Sequence, residues 1–100
     1  MSLETISQTI KDRAMDLIGL NARVVFDLGN DGAVTVDATA MPPAVSEGAD
    51  EADVTIRLSR ENLEKLLAGD LNPTLAYTMG KLKIDGSMGV AMKLAAMLDD

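Results

Sequence analysis

The chain has 100 residues, 47% of them apolar and 25% charged, which suits one domain, 1–100, built around a single core. A formal net charge of −7 argues against nucleic acid and anionic membrane surfaces as partners. With no cysteine and no histidine, disulfides, thiolate sites, imidazole metal ligands and imidazole bases are excluded, and no metal or cofactor is expected.

Leu3, Ile6, Ile10, Ala14 and Leu17 recur at helical spacing opposite Glu4, Gln8, Lys11, Asp12 and Asp16, which predicts an amphipathic helix over residues 2–18. Ser2 can cap its start and Gly19 can end it. Ala22, Val24, Phe26 and Leu28 then alternate with Arg23 and Asp27, the pattern of a half-buried strand. Gly29-Asn30-Asp31-Gly32 is a hairpin signal, and Val34, Val36 and Ala38 continue the apolar face on an antiparallel partner. Residues 41–51 hold two prolines, a glycine and three acids without periodicity and read as an exposed loop, with room for a hidden fifth strand within 40–50.

Ala52, Val54, Ile56 and Leu58 predict a third strand. Ser59 caps a helix carrying Leu63, Leu66 and Leu67, with Glu61 and Lys65 spaced as an i,i+4 pair and Gly69 as its stop. Asn72-Pro73 starts a short helix through Ala76 and Tyr77 to Gly80, proline being harmless at a first helical position. Lys81-Leu82-Lys83-Ile84-Asp85 is a further strand with its lysines outward, and after Asp85-Gly86 the residue Ser87 caps a last helix to Leu98. This order predicts an α+β fold, a mainly antiparallel sheet of four to five strands with helices covering one face.

The last helix is apolar nearly all the way round. Placed at about 100° per residue, Met88, Met92 and Ala95 form one stripe and Val90, Leu94 and Met97 another, leaving only Gly89 and Lys93 as a polar sector. Four of the seven methionines, Met79, Met88, Met92 and Met97, lie near this end, and methionine adapts to varied apolar partners. Such a helix is either buried or covers something apolar, a lipid-like ligand or a partner protein.

Asn72-Pro73, Ala76-Tyr77, Gly80-Lys81-Leu82-Lys83-Ile84, Gly86, Met88-Gly89 and Ala91-Met92-Lys93-Leu94 together resemble the sterol carrier protein type 2 domain, the sterol-binding domain family. The strand Ala52-Asp53-Val54-Thr55-Ile56 and the leucine-bearing helix after it match as well, and the N-terminal helix and hairpin fit in kind and order. The resemblance implies a five-stranded sheet with helices enclosing an apolar tunnel for sterols, fatty acids or acyl-CoA. It also implies a non-enzymatic carrier or an accessory module. Two departures are visible: the sequence ends Leu98-Asp99-Asp100 rather than in a peroxisomal tripeptide, and longer members continue past this helix. The tunnel is therefore expected to be open, shortened or closed by a second subunit.

A tunnel would be lined by strand positions Val54, Ile56, Leu82 and Ile84 and by helix positions Leu66, Ala76, Met79, Met88, Met92 and Ala95, each of which also fits plain core. Tyr77 could orient a headgroup through its hydroxyl. Lys81, Lys83 and Lys93 are the candidate cations for a carboxylate or phosphate headgroup, against the alternative that they blunt a sheet edge. Asp27 to Gly32 has a calcium-loop-like start, but the twelfth position is Ala38 where a bidentate glutamate is needed, so it is rejected. Without histidine no nucleophile–base series assembles, and an enzyme is not expected.

Two functions follow. The first is binding, and transfer, of a fatty acid, acyl-CoA, isoprenoid or sterol-like molecule; the second is docking of the Met-rich helix on a partner protein or a second copy. The N-terminus lacks a basic region followed by an apolar run, and no segment approaches the roughly 18 apolar residues of a span, so a cytoplasmic protein without stable membrane insertion is expected.

Overall fold

The computed structural model describes residues 3–98, and the expected Ser2 cap and the side chain of Leu3 lie outside them. The first helix, α1 (Leu3–Arg13), is shorter than its apolar spacing suggests and tightens into a 3₁₀ turn over Ala14–Leu17. In a 3₁₀ turn residues i and i+3 eclipse, so Ala14 and Leu17 both stay buried, and Leu20, three residues on, is buried as well. Gly19, at φ +98°, turns the chain toward the sheet.

The sheet has five strands in the order β3-β2-β1-β4-β5, formed by β1 (Arg23–Asp27), β2 (Ala33–Asp37), β3 (Ala44–Glu47), β4 (Val54–Leu58) and β5 (Leu82–Gly86). Only the central pair β1–β4 is parallel; the other three pairings are antiparallel. The hairpin turn is carried by Gly29 at φ +66° and Gly32 at φ +102°, while Asn30 and Asp31 keep ordinary backbone in a 3₁₀ turn. The fifth strand lies within the stretch that reads as a loop. Its residues are mostly exposed, because an edge strand needs a ladder on one side only and so shows no apolar alternation.

Side chains at even positions of β1, β2, β4 and β5 form one apolar face, which Val45 joins from β3. In register across the sheet, Val34, Phe26, Ile56 and Ile84 make one row and Val36, Val24 and Val54 the next. All helices pack on this side: α1 lies over β3 and against α2 (Arg60–Ala68), while α4 (Met88–Leu98) lies over β4 and β5 and against α3 (Pro73–Thr78). One cluster of buried side chains runs through every one of these layers.

The opposite face carries charge. Arg57 reaches Asp27 at 3.6 Å and Asp85 at 3.2 Å, and Arg23 reaches Asp37 at 3.3 Å. The central strands are not half-buried, however. Val25, flanked by Thr35 and Thr55 in register, is buried on this side too, and the Thr35 hydroxyl donates to the Gly48 carbonyl at 2.7 Å.

Candidate functional site

Between α3, β5 and α4 the apolar face of the sheet opens into a cleft. Phe26, Ile56 and Ile84, neighbours in one row of the sheet, form its floor together with Leu82. Leu66 from α2 and Pro73 at the start of α3 close one inner wall, and Ala91, Leu94 and Leu98 on α4 close the other. The rim is half-exposed, with Thr74 and Tyr77 of α3 facing Met88, Met92 and Ala95 of α4. Tyr77 is 46% exposed, Met88 45% and Met92 59%.

Local sequence positions these walls. The Asn72 side chain accepts from the Leu75 N–H at 3.0 Å, and Pro73 opens the helix where no donor is required. Ser87 accepts from the Val90 N–H at 3.2 Å, so α4 starts immediately after β5 and crosses back over the sheet. Gly86 makes that junction possible. It sits at φ +107° opposite Val54, and a Cβ there would lie 2.5 Å from the Asp53 carbonyl oxygen. At the middle of α4, the Lys93 ammonium donates to the Gly19 carbonyl at 2.8 Å, tying the helix to the turn after the first helix.

Among the described residues this cleft is open along its rim rather than an enclosed tunnel. The cleft holds about 50 Å³, well short of the roughly 150 Å³ that admits benzene in an apolar core. The space is narrow because α4 lays Ala91, Leu94 and Leu98 directly on the sheet, leaving Met88 and Met92 at the edge of the contact. The helix therefore has one buried stripe and one half-exposed methionine edge, where a helix apolar all round would be buried on every side. Among the described residues no hydrogen bond or ion pair joins α3 to α4. Their separation costs apolar contact alone.

Of the sequence-derived candidates, Ile56, Leu66, Tyr77, Leu82, Ile84, Met88, Met92 and Ala95 lie together in the cleft. Val54 and Ala76 are buried in the core beside it, and Met79, at the end of α3, is exposed away from it. Phe26, Pro73, Thr74, Ala91, Leu94 and Leu98 also line the cleft and were missing from that set. The row register would have found Phe26, but only once β1 is known to lie beside β4.

The three candidate lysines do not gather at the cleft. Lys83 alternates with the inward Leu82 and Ile84 and so lies on the charged face, where its register partner is Arg57. Lys81 precedes the strand with the same parity and is exposed. Lys93 is engaged by Gly19. The outward side expected of the strand lysines agrees with this alternation, and none of the three lysines is among the residues that line the cleft.

The match to known proteins decides the family. The profile of the SCP-2 sterol transfer family matches residues 3–99. The chain belongs to that family. Its domains bind or transfer sterols and other lipids and are in general not catalytic, and some relatives carry one beside enzyme domains. Hydroxysteroid dehydrogenase-like protein 2 of Bos taurus is 30% identical over 98% of the chain and 25% of its own length. Sterol carrier protein 2 of Bos taurus is 40% identical over 66% of the chain and 12% of its own length. The chain thus spans about a quarter or less of these relatives. The crystal structure of sterol carrier protein 2-like 2 from Aedes aegypti superposes with a TM-score of 0.79 at 27% identity, covering 96% of this chain and 95% of that one. These likenesses confirm the α+β sterol-carrier fold. Among the described residues, no helix is long and apolar enough to cross a membrane.

Proposed function

We propose that this sterol-carrier domain, 1–100, binds the hydrocarbon part of a single lipid molecule in the cleft between α3, β5 and α4, without chemical change to the lipid. The observation that carries the reading is the half-exposed apolar rim of Tyr77, Met88 and Met92 above a floor of Phe26, Ile56 and Ile84. Entry requires α3 and α4 to part, with the flexible methionines reshaping around the ligand. Burying about ten methylenes at roughly 0.8 kcal/mol each supplies about 8 kcal/mol before association costs, the driving force set against that opening. The match to a sterol carrier protein supports the same ligand class.

Native mass spectrometry of freshly purified protein, followed by organic extraction, tests this reading. A lipid bound one to one on the monomer, lost in a folded Met92→Glu variant, is the expected result. A lipid-free dimer would overturn it in favour of docking through the exposed Leu75, Met79, Met88 and Met92. Unchanged lipid content in Met92→Glu would move the site away from the cleft.

A further inference from the structure

The two helices that flank the cleft are held to the rest of the molecule unequally. On its buried side α4 sets Ala91, Leu94 and Leu98 against the sheet, with Val90 and Met97 partly buried beside them. It is also held from outside the cleft by the hydrogen bond from Lys93 to the Gly19 carbonyl, and its first turn is fixed to β5 through Gly86 and Ser87. By contrast α3 is six residues long and buries only Pro73 and Ala76. Leu75 and Tyr77 along it and Met79 at its end are all about half exposed. Apolar stabilisation scales with the area removed from water, so α3 has much the weaker hold. The chain enters and leaves α3 through glycines: Gly69, at φ +81°, lies between it and α2, and Gly80, at φ +75°, lies between it and β5 with no atom near where a Cβ would stand. Just past Gly80 the Asn62 side chain of α2 donates to the Lys81 carbonyl at 3.3 Å, a strap across the exit from α3.

We infer that α3 is the wall that moves: it swings away from the sheet about Gly69 and Gly80 to admit a ligand, while α4 stays in place. This inference rests on the binding reading above and adds to it the part that opens. Segments that open are drawn from those with few buried apolar contacts, and hinges are the few positions at element ends that absorb the backbone change. Swinging α3 out gives up the burial of Pro73 and Ala76, and among the described residues it breaks no hydrogen bond to α4. Lifting α4 instead would strip Leu94 and Leu98 from the sheet and break the bond from Lys93 to Gly19. Asn62 limits the swing from a place outside the lining of the cleft, which makes it a positioning residue for the moving wall.

Amide hydrogen exchange of the delipidated protein, followed by NMR, tests the inference together with stopped-flow entry of the fluorophore diphenylhexatriene. The N–H groups of Ala76 and Met79 donate to the Asn72 and Leu75 carbonyls, both at 2.9 Å. After correction for intrinsic rates they should exchange at least about tenfold faster than those of Leu94 and Ala95 in the middle of α4. Asn62→Ala, which cuts the strap, should hasten exchange at Ala76 and Met79 and speed fluorophore entry several-fold. Ile10→Val, which loosens the core beneath α1, should lower overall stability and leave the entry rate unchanged. Exchange in α4 as fast as in α3, or an entry rate that Asn62→Ala leaves unchanged, overturns the inference. So does entry hastened equally by Ile10→Val, which would make general loosening rather than α3 the route. Failure of the wild-type protein to bind diphenylhexatriene at all would instead remove the binding reading, while the exchange rates would still decide which helix opens.

Discussion

The two halves of this molecule are built to different tolerances. In the half made by α1 and the β1–β2 hairpin, Ile6, Ile10, Val24, Val34 and Val36 are sealed, each no more than 1% exposed. In the half made by α3, β5 and α4, the sheet row ends beneath side chains that are half in water, with Met88, Met92 and Tyr77 along the edge. Both halves draw on one sheet and one continuous core. The first half is closed because β-branched side chains and leucines fill a fixed space. The second is left loose because methionines and a six-residue helix form its edge. A fold can thus hold its shape at one end and keep an adaptable apolar opening at the other.

The strongest way to break this contrast is to damage the sealed half. Ile10→Ala should lower stability by about 2–5 kcal/mol in urea unfolding, the range for emptying a well-packed aliphatic site; a loss under about 1 kcal/mol would mean that this half is as loose as the other. Next comes the seam between β4 and β5. Gly86→Ala should cost about 3 kcal/mol, because an alanine there is held at φ +107° and its Cβ meets the Asp53 carbonyl, so the start of α4 is displaced as well.

In the loose half the balance reverses. Met92→Ala should change stability by no more than about 0.5 kcal/mol, as for an exposed position, while weakening lipid binding several-fold in fluorophore titration. The smallest effect belongs to the open end of the hairpin in the sealed half. The Asp37 carboxyl is held below its ordinary value of 3.8 mainly by the Thr39 hydroxyl and N–H that donate to it, then by Arg23, with burial opposing. A folded value below the unfolded one means stability that is present above about pH 4 and lost as pH falls through the folded value. Asp37→Asn should therefore lower stability slightly at neutral pH, leave it nearly unchanged in strong acid and so flatten the acid limb of the stability curve.

The helices and four of the strands were legible because their signals are local. Ser59 and Asn72 cap as their spacing suggests, with acceptor distances of 3.1 Å and 3.0 Å to the N–H groups of Asn62 and Leu75. Local signals fail where partners are remote. Ala44–Glu47 shows no alternation because its strand is exposed at an edge, and Phe26 joins the cleft only through its parallel neighbour Ile56. The phase of α4 was equally hidden. On a helix apolar on nearly every side, hydropathy alone does not choose between a stripe through Met88 and Met92 and the stripe through Ala91, Leu94 and Leu98 that the sheet buries. The outward side of Lys83, by contrast, was legible from the alternation with Leu82 and Ile84.

The central claim is that lipid enters the loose half and leaves the sealed half untouched. The most direct measurement is a two-dimensional NMR spectrum of protein carrying ¹³C-methyl methionine, recorded during titration with 1-hexadecanol. Met88 and Met92 report on the cleft rim, while Met15 and Met41, exposed and not among the residues that line it, serve as internal controls. The account predicts that the Met88 and Met92 methyl resonances shift and saturate at one equivalent while those of Met15 and Met41 stay in place. Saturable shifts at Met15 or Met41 with Met88 and Met92 unmoved would contradict it.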